Sequence, residues 1–194
     1  MARTLRSRSR GPGRLTVPLV HLGNWALVGL AIVAWGAIHA GTGYLAHRLP
    51  AAFCERDNWL TTIRRWEQSG HVWKVLRVHA WKDKLPEAGD VFEGGVSKRS
   101  LPGLDDASLV QFAASTRRAE IGHWSAAACS PIFLLWNPLW ISVVMVVYGL
   151  AVNAPFIAIQ RYNRLRVSRV LARRASRRAA SARRASDTTG NNIP

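Results

Sequence analysis

Two long stretches without a formal charge constrain this 194-residue chain more than any other feature. The first runs from Val17 to Ala40, and the second lies between His123 and Arg161. A helix of about 24 residues is about 36 Å long, which is enough to cross the ~30 Å hydrocarbon core of a bilayer. The sequence therefore predicts a mainly α-helical, integral membrane protein and argues against a large soluble core.

The second apolar block is interrupted by Pro131, Pro138 and Pro155. Two full crossings would need about 40 apolar residues plus a turn, which this block cannot supply. We therefore expect one full span, over about 139–157, preceded by a half-helix or re-entrant piece over 126–136. The expected fold thus has two transmembrane helices plus a half or re-entrant helix.

The net charge of +16 lies mostly in the two tails. Five arginines precede the first block and ten lie between Arg161 and Arg184, whereas the segment from His47 to Trp124 has twelve basic and ten acidic residues. Arginine-rich flanks of membrane spans tend to remain cytoplasmic. With two crossings, both termini of a multi-pass protein of the cell membrane are expected in the cytoplasm, and the middle segment on the outer face.

The basic tails also suggest partners. Their arginines are expected to bind anionic lipid headgroups. Nucleic acid is a less favoured partner, because no aromatic residue follows Tyr162 to stack on bases.

Composition divides the chain into five segments. They are a disordered basic arm (1–14), transmembrane helix 1 (15–46), an interfacial or extramembrane catalytic segment (47–124), the re-entrant piece with transmembrane helix 2 (125–160), and a basic low-complexity tail (161–194). Within the third segment, glycines and prolines between Asp83 and Gly103 predict irregular structure. Asp105 or Asp106 is expected to cap the helix that follows.

Tryptophans recur through the middle segment at spacings of seven or eight residues. They are Trp59, Trp66, Trp73 and Trp81. On a helix this spacing forms one stripe, and tryptophan favours the headgroup level of a bilayer. The pattern predicts an interfacial, Trp-rich helical segment that lies on the membrane.

The strongest candidate for chemistry is the pair Glu120-x-x-His123, at the mouth of the second apolar block. This spacing puts a carboxylate and an imidazole on one face of a helix, where the carboxylate can orient the ring and raise its basicity. Such a pair can deprotonate a hydroxyl, although single pairs also occur by chance on surface helices. The cysteines, Cys54 and Cys129, have no ligand spacing, so neither a metal site nor a disulfide is predicted.

An ordered set of short motifs carries a resemblance to a known family. The motifs are Trp81-Lys82-Asp83-Lys84-Leu85-Pro86-Glu87, Gly94-Gly95-Val96-Ser97-Lys98, Arg117-Arg118-Ala119-Glu120 with His123-Trp124, Asn153-Ala154-Pro155, and Gln160-Arg161-Tyr162-Asn163-Arg164-Leu165-Arg166. From about Trp25 to Arg169, the chain resembles the glycosyl-4,4'-diaponeurosporenoate acyltransferase family. The resemblance implies a small membrane acyltransferase of carotenoid biosynthesis. Such an enzyme esterifies a sugar hydroxyl of a glycosylated carotenoid acid with a fatty acyl chain, as in staphyloxanthin formation.

Acyl transfer needs a base for the hydroxyl and donors for the developing oxyanion. On this interpretation His123 is the base and Glu120 orients it. Lys82, Arg117, Arg161 and Arg164 are candidates for contacts with the oxyanion, a carboxylate or the acyl donor, and Asp83 and Asn163 for contacts with sugar hydroxyls.

The expected partners are a lipid-embedded glycosylated acceptor and a fatty acyl donor. No cofactor is expected besides that donor, acyl-CoA or a lipid, as co-substrate. An outward-facing His123 would not meet cytosolic acyl-CoA, so either the donor is a lipid, or the re-entrant piece carries the site inward, or the expected topology is wrong.

Two other kinds of function are compatible with the sequence. One is a non-enzymatic membrane scaffold whose tails recruit anionic lipid or nucleic acid, and the other is an accessory subunit of a larger glycolipid complex. The polar cluster from Gln160 to Arg164 also has a purely structural explanation, as a helix end anchored among headgroups. If the chain is a scaffold or an accessory subunit, loss of the His123 imidazole would leave its function intact, while loss of the tail would abolish it.

Overall fold

The computed structural model describes residues 23–85 and 105–190, and within them the chain is helical without a β-strand. The α-helices are α1 (Asn24–His47), α2 (Ala51–Glu55), α3 (Arg65–Gln68), α4 (His71–Val75), α5 (Val78–Trp81), α6 (Asp106–Ala128) and α7 (Leu139–Gly190), with 3-10 helices at Lys82–Lys84 and Ser130–Leu135. The expected mainly α fold is confirmed. The basic arm and most of the glycine- and proline-rich stretch lie outside the described residues.

Two helices, α1 and α7, are long and apolar enough to cross a membrane. The most apolar windows of α1 and α7 have mean hydropathies of 1.5 and 2.0, and only 6% and 22% of those windows are buried inside the protein. Large apolar side chains such as Ile32 and Val33, each 68% exposed, therefore point outward. This exposure suits a lipid environment and would be unfavourable for a soluble protein.

Small residues let α1 approach the other two long helices closely. A Cβ added at Gly122 of α6 would lie 3.2 Å from the Cβ of Ala46, near the end of α1. A Cβ added at Gly149 of α7 would lie 2.6 Å from the ring of Trp35. Close packing of this kind is typical of helix contacts inside membranes. The end of α1 is thus level with Gly122, and its middle is level with Gly149.

The piece between α6 and α7 is not a single half-helix. The expected segment 126–136 comprises the last turn of α6 and the 3-10 helix Ser130–Leu135. The Phe133 ring is fully buried and packs on Trp35 with 5.1 Å between centroids, which puts the 3-10 helix beside the middle of α1. The expected segment boundaries after Trp124 and Gln160 fall inside α6 and α7.

The tryptophans of the middle segment do not form one stripe, so that prediction is wrong. Positive φ angles at Gly70 (77°) and Arg77 (50°) break the segment into short helices. Trp73 is 5% exposed and packs in a core with residues of α5 and α7, whereas Trp59 and Trp66 are 78% and 62% exposed. Only part of the tryptophan set is therefore available to a headgroup layer.

The basic tail continues α7 without a break and packs against the middle segment. The guanidinium of Arg169 donates to the carbonyl of Gln68 at 2.5 Å. Arg174 pairs with Asp106, at the start of α6, at 2.7 Å. Parts of the chain in direct contact lie on the same side of a membrane, so the expected placement of the tail and the middle segment on opposite faces is wrong.

Candidate functional site

Helices α6 and α7 bring together polar groups from two distant parts of the chain. Glu120 of α6 pairs with Arg164 of α7 at 2.6 Å. One turn later on α6, the Nδ1 atom of His123 lies 2.9 Å from Oδ1 of Asn153, which precedes Arg164 on α7. The order of the two pairs shows that the helices are antiparallel. The ionic pair lies where the apolar stretch of each helix ends, and Asn153 lies about two turns inside that of α7.

Four buried charged side chains form an ionic cluster consisting of Glu67, Glu120, Arg161 and Arg164. Arg161 bridges the two carboxylates, since its Nε and Nη2 bond Glu67 at 2.7 and 2.6 Å and its Nη1 bonds Glu120 at 2.5 Å. Both glutamates are fully buried, and Arg164 is 2% exposed. Two carboxylates and two guanidinium groups balance, so the cluster buries no uncompensated charge.

The loop between α2 and α3 completes the ionic cluster with backbone carbonyls. The side chain of Asn58 accepts hydrogen bonds from the backbone nitrogens of Leu60 and Thr61, each at 2.9 Å, and so holds the loop in a tight turn. The carbonyls of Leu60 and Thr62 accept from Arg161 at 3.1 and 2.8 Å, and the carbonyl of Thr61 accepts from Arg164. The turn therefore fixes both guanidinium groups.

Glu67 is held in its ionised form. Burial raises the pKa of this carboxyl, but hydrogen bonds from Arg161 and from the backbone N–H of Arg64 outweigh burial, so the pKa lies below its usual value. The Arg64 nitrogen lies 2.6 Å from the carboxylate, in a capping box that starts α3. Glu67 thus joins a short helix of the middle segment to α7.

Two residues of α7 keep buried polar atoms that have no hydrogen-bond partner among the described residues. These atoms are the donors Nε and Nη1 of Arg164 and the acceptor Oε1 of Gln160. Helical residues seven and eleven apart differ by only about 20° in direction, so Gln160 and Arg164 lie on the same face of α7 as Asn153. Unpartnered buried polar groups are uncommon in folded proteins, so this face is a candidate for binding a ligand.

The imidazole of His123 is held on two sides. Its ring stacks on Phe156 with 4.8 Å between centroids and 11° between planes. The amide nitrogen of Asn153 donates to the Gly149 carbonyl at 2.8 Å, which turns the amide oxygen toward Nδ1 of His123. An amide oxygen can only accept, so Nδ1 carries a proton, and in the neutral ring the lone pair is then on Nε2. This tautomer leaves Nε2 as the atom that can act as a base.

The residue that orients His123 differs from the expected one. The two oxygens of Glu120 accept from Arg161 and Arg164, and Oε1 also receives the indole N–H of Trp124 at 3.4 Å. The Glu120 carboxylate thus holds the arginines of the ionic cluster, and Asn153 supplies the acceptor for the His123 ring.

The other predicted site residues lie in three different settings. Lys82 and Asp83 form an ion pair with each other on the 3-10 helix after α5. Arg117 pairs with Asp57 at 2.6 Å and also donates to the Cys54 carbonyl at 3.3 Å. Asn163 is buried on α7 at 6% exposure. Of the predicted residues, the structure therefore joins Glu120 to the two arginines of α7. His123 lies one turn after Glu120 on α6, and its neighbour on α7, Asn153, precedes Arg161 by about two turns.

Sequence reasoning assigned no role to Glu67, Asn153 or Gln160. The role of Glu67 depends on Arg161, which is 94 residues away along the chain. Asn153 and Gln160 belong to motifs that carried the family resemblance, which was the available signal.

The described residues contain no group of three or more His, Cys, Asp or Glu side chains that could hold a metal. Cys54 and Cys129 are free. A shallow apolar cavity of about 260 Å³ is lined partly by Trp59 and Ile121. Ile121 and His123 point about 160° apart around α6, so this cavity lies on a different side of the helix from the imidazole.

The fold and the site together define a helical membrane protein with a buried ionic cluster and, one helical turn away on α6, a histidine held by Asn153 and Phe156. A model of the glycosyl-4,4'-diaponeurosporenoate acyltransferase family matches residues 56–173, which is more than half of the chain. The chain belongs to this family of acyltransferases, as its motifs predicted, and the matched region contains the whole candidate site.

Two relatives show how far the similarity extends. The chain is 28% identical over 147 residues to the glycosyl-4,4'-diaponeurosporenoate acyltransferase of Staphylococcus haemolyticus (strain JCSC1435), covering 74% of this chain and 85% of the relative. It is 26% identical over 147 residues to the protein of the same name from Staphylococcus aureus (strain USA300), covering 74% of this chain and 88% of the relative. No solved structure matches the chain.

Proposed function

We propose that this acyltransferase esterifies a sugar hydroxyl of a membrane-embedded glycosylated carotenoid acid with a fatty acyl chain. The observation that carries the proposal is the set of groups on the facing sides of α6 and α7. The neutral tautomer of His123 has Nε2 as its base, and His123 lies one helical turn from Glu120. Glu120 pairs with Arg164, which has two buried donors without a partner among the described residues. The names of the relatives supply the acceptor class, a glycosyl-4,4'-diaponeurosporenoate.

In the proposed reaction, His123 acts as the general base. Its Nε2 removes the proton of the sugar hydroxyl while the hydroxyl oxygen attacks the acyl carbonyl carbon. A new C–O ester bond forms, the bond from the acyl carbon to its carrier breaks, and the leaving group takes up the proton from the imidazolium. Asn153 acts as a positioning residue, because it accepts the Nδ1 hydrogen throughout this cycle.

Arg164 is the proposed donor for the negative charge that develops on the carbonyl oxygen. Its Nη2 is committed to Glu120 and the Thr61 carbonyl, which fixes the guanidinium group, whereas Nε and Nη1 keep their hydrogens unpartnered among the described residues. Fixed donors in a buried site stabilise an oxyanion without reorganisation. The nearby acceptor Oε1 of Gln160 is suited to a second sugar hydroxyl. Lys82, Asp83, Arg117 and Asn163 remain more peripheral candidates for substrate contacts.

The position of the site suits an amphiphilic acceptor. The apolar polyene would remain among the lipid-facing surfaces of α1 and α7, while the sugar would reach the polar groups at the end of the spans. We propose that the last turn of α6 and the 3-10 helix form a re-entrant or crossing segment, because Phe133 packs at the middle of α1.

The contact between tail and middle segment suggests a revised topology. If α1 and α7 both cross the bilayer, the segment between Gly122 and Leu139 must return the chain to the opposite face. The amino terminus and the carboxyl terminus then lie on opposite sides. The side with the site carries 22 of the 27 basic residues, so we propose that it faces the cytoplasm. A cytoplasmic site meets soluble acyl thioesters directly, and the reaction needs no cofactor besides the acyl donor.

The decisive experiment is acyl transfer by the purified enzyme in nanodiscs with a glycosylated carotenoid acceptor and a labelled acyl thioester. His123→Ala is expected to lower the rate by about two to four orders of magnitude. His71→Ala, which removes an exposed histidine of α4, should leave the rate unchanged. Formation of labelled ester by His123→Ala at the wild-type rate would refute the mechanism.

The same variants separate this proposal from a scaffold or an accessory subunit. In those cases cells that carry His123→Ala would keep the normal pigment, while a chain truncated in its tail would lose it. The relatives named as acyltransferases favour the enzymatic reading.

A further inference from the structure

Beyond the ionic cluster, one exposed side of α7 carries a row of arginines that we call the arginine stripe. The stripe consists of Arg166, Arg169, Arg173 and Arg177, all of which are exposed. Their spacing of three or four residues puts them within an arc of about 80°. Arg174 and Arg178 of the same run turn instead toward Asp106 of α6, at 2.7 and 2.8 Å. The stripe is therefore distinct from the surface that packs α7 against α6.

The outer half of the arginine stripe lies too far from the bilayer to bind headgroups efficiently. Because α1 ends opposite Gly122, the ends of α6 and α7 beyond Glu120 and Arg161 project past the membrane span. With a rise of about 1.5 Å per residue, Arg173 lies about 18 Å beyond Arg161 along α7. Electrostatic attraction to a charged surface is screened over about 8 Å at physiological ionic strength. The expected role of the tail in lipid binding therefore does not account for this surface.

The inner end of the arginine stripe lies close to the ionic cluster. Arg169, which belongs to the stripe, is anchored on the Gln68 carbonyl next to Glu67 of the ionic cluster. Arg166 is stacked on Tyr162 with 5.6 Å between its guanidinium carbon and the ring centroid. The stripe and the face of α7 that carries Gln160 and Arg164 point about 160° apart around the helix, so a partner bound along the stripe could reach the site only with a flexible arm that passes around α7.

We propose that the arginine stripe docks an acidic protein that carries the fatty acyl chain as a thioester on a flexible arm, in other words an acyl carrier protein. This inference rests on the proposed function. Charge complementarity favours an acidic partner, and a row of about 16 Å from the first to the last arginine is long enough to match the acidic face of a protein helix. The absence of aromatic residues after Tyr162 argues against nucleic acid.

In the step that follows docking, the arm delivers the thioester to the site. The sugar oxygen attacks the thioester carbonyl, the C–O bond forms, and the C–S bond breaks. The hydroxyl proton passes to Nε2 of His123 and then to the departing thiolate, which leaves as the free thiol of the carrier. The electrons and atoms balance without an oxidant or a further co-reactant.

The test compares two double variants of the full chain that change net charge equally. Arg173→Gln with Arg177→Gln removes two charges from the stripe, whereas Ala175→Glu with Ala179→Glu adds two negative charges on a different, exposed side of α7. With an acylated acidic carrier protein as donor, the first variant should raise KM about tenfold with kcat unchanged, because docking charges act mainly on association. The second variant should change KM less than twofold, and raising the salt concentration should raise KM for the wild type.

A simple acyl thioester without the carrier provides the second arm. With this donor, wild type and both variants should have the same KM. If the wild type transfers the acyl group from the simple thioester but not from the carrier, or if the two variants behave alike with the carrier, the docking proposal is overturned while the proposed function stands. If the stripe variant loses binding only to anionic vesicles or to nucleic acid, docking is likewise overturned. If no donor yields ester with the wild type, the proposed function itself fails.

Discussion

Replacement of Asn153 provides the sharpest test of how the site is built. The side chain is fully buried, accepts the Nδ1 hydrogen of His123 at 2.9 Å, and donates to the Gly149 carbonyl at 2.8 Å. Asn153→Ala removes the acceptor and lets the imidazole change tautomer or rotate. Leaving a buried donor without its acceptor costs about 1–3 kcal/mol, which corresponds to about 5- to 150-fold in kcat/KM if the cost falls on the transition state.

The assay is kcat/KM for acyl transfer in nanodiscs, measured across a range of pH. Asn153→Asp should retain most of the activity, because a carboxylate also accepts the Nδ1 hydrogen. A negative charge beside the imidazole stabilises its protonated form, so the acid limb of the pH–rate profile should move to higher pH. Ser142→Ala is the matched control, since it removes the hydrogen bond from another buried side chain of α7, to the Pro138 carbonyl.

The double variant with His123→Ala decides whether Asn153 acts through the histidine. If it does, adding Asn153→Ala to His123→Ala should lower the rate no further, because the two residues then act as one unit. Wild-type kcat/KM in Asn153→Ala, or a further loss in the double variant, would refute this account of the site.

Four further outcomes follow from the structure. Glu120→Gln should lower the stability of the folded protein by about 3–5 kcal/mol, since it leaves the buried guanidinium of Arg164 without a carboxylate partner, and thermal unfolding in nanodiscs measures this loss. The pKa of the Glu67 carboxyl is lower in the folded state, so the stabilisation from its ionised form is present above about pH 4.5 and is lost as the pH falls through the lowered pKa. In acid unfolding, the free energies of unfolding of wild type and Glu67→Gln should therefore converge below that pKa. Gly149→Val should disrupt the contact with the α1 tryptophan and lower thermal stability, and an unchanged unfolding temperature would contradict the close packing. Cysteines introduced at Ser69 and Ser181 in a cysteine-free background should react with an impermeant reagent only after cells are opened; labelling of either one in intact cells would contradict a cytoplasmic site.

Local signals in the sequence were sufficient for the long helices and for one helix cap. The charge-free blocks predict α1 and the first part of α7, and Asp105 caps α6 by accepting the Ser108 N–H at 2.9 Å, as expected. These features depend on residues close together in the chain. The break in the tryptophan stripe depends instead on a residue far away in the chain. The left-handed turn at Gly70 leaves room for the guanidinium of Arg169, which lies about 3 Å from where a Cβ would be.

In the candidate site too, local spacing was informative, whereas contacts between residues distant in the chain were not predictable. The spacing of Glu120 and His123 places both on α6 at the start of the apolar block, but it could not show which partner each side chain has. Glu120 pairs with residues 41 and 44 positions away, and His123 with a residue 30 positions away. Counting charges on either side of two spans also could not show that the tail packs against the middle segment, because that contact joins Arg169 to Gln68, 101 residues away.

That short connection has a consequence for how the protein is made. The charge-free residues from Trp124 to Pro138 are too few to enter a bilayer as an independent helix, whereas α1 and α7 each have the length for insertion as they leave the ribosome. In the proposed topology, the connection is therefore drawn in as α7 inserts, and Phe133 settles against the already placed α1. Biogenesis would then end with the joining of α6 to α7, so the ionic cluster would form only in chains whose membrane insertion is complete.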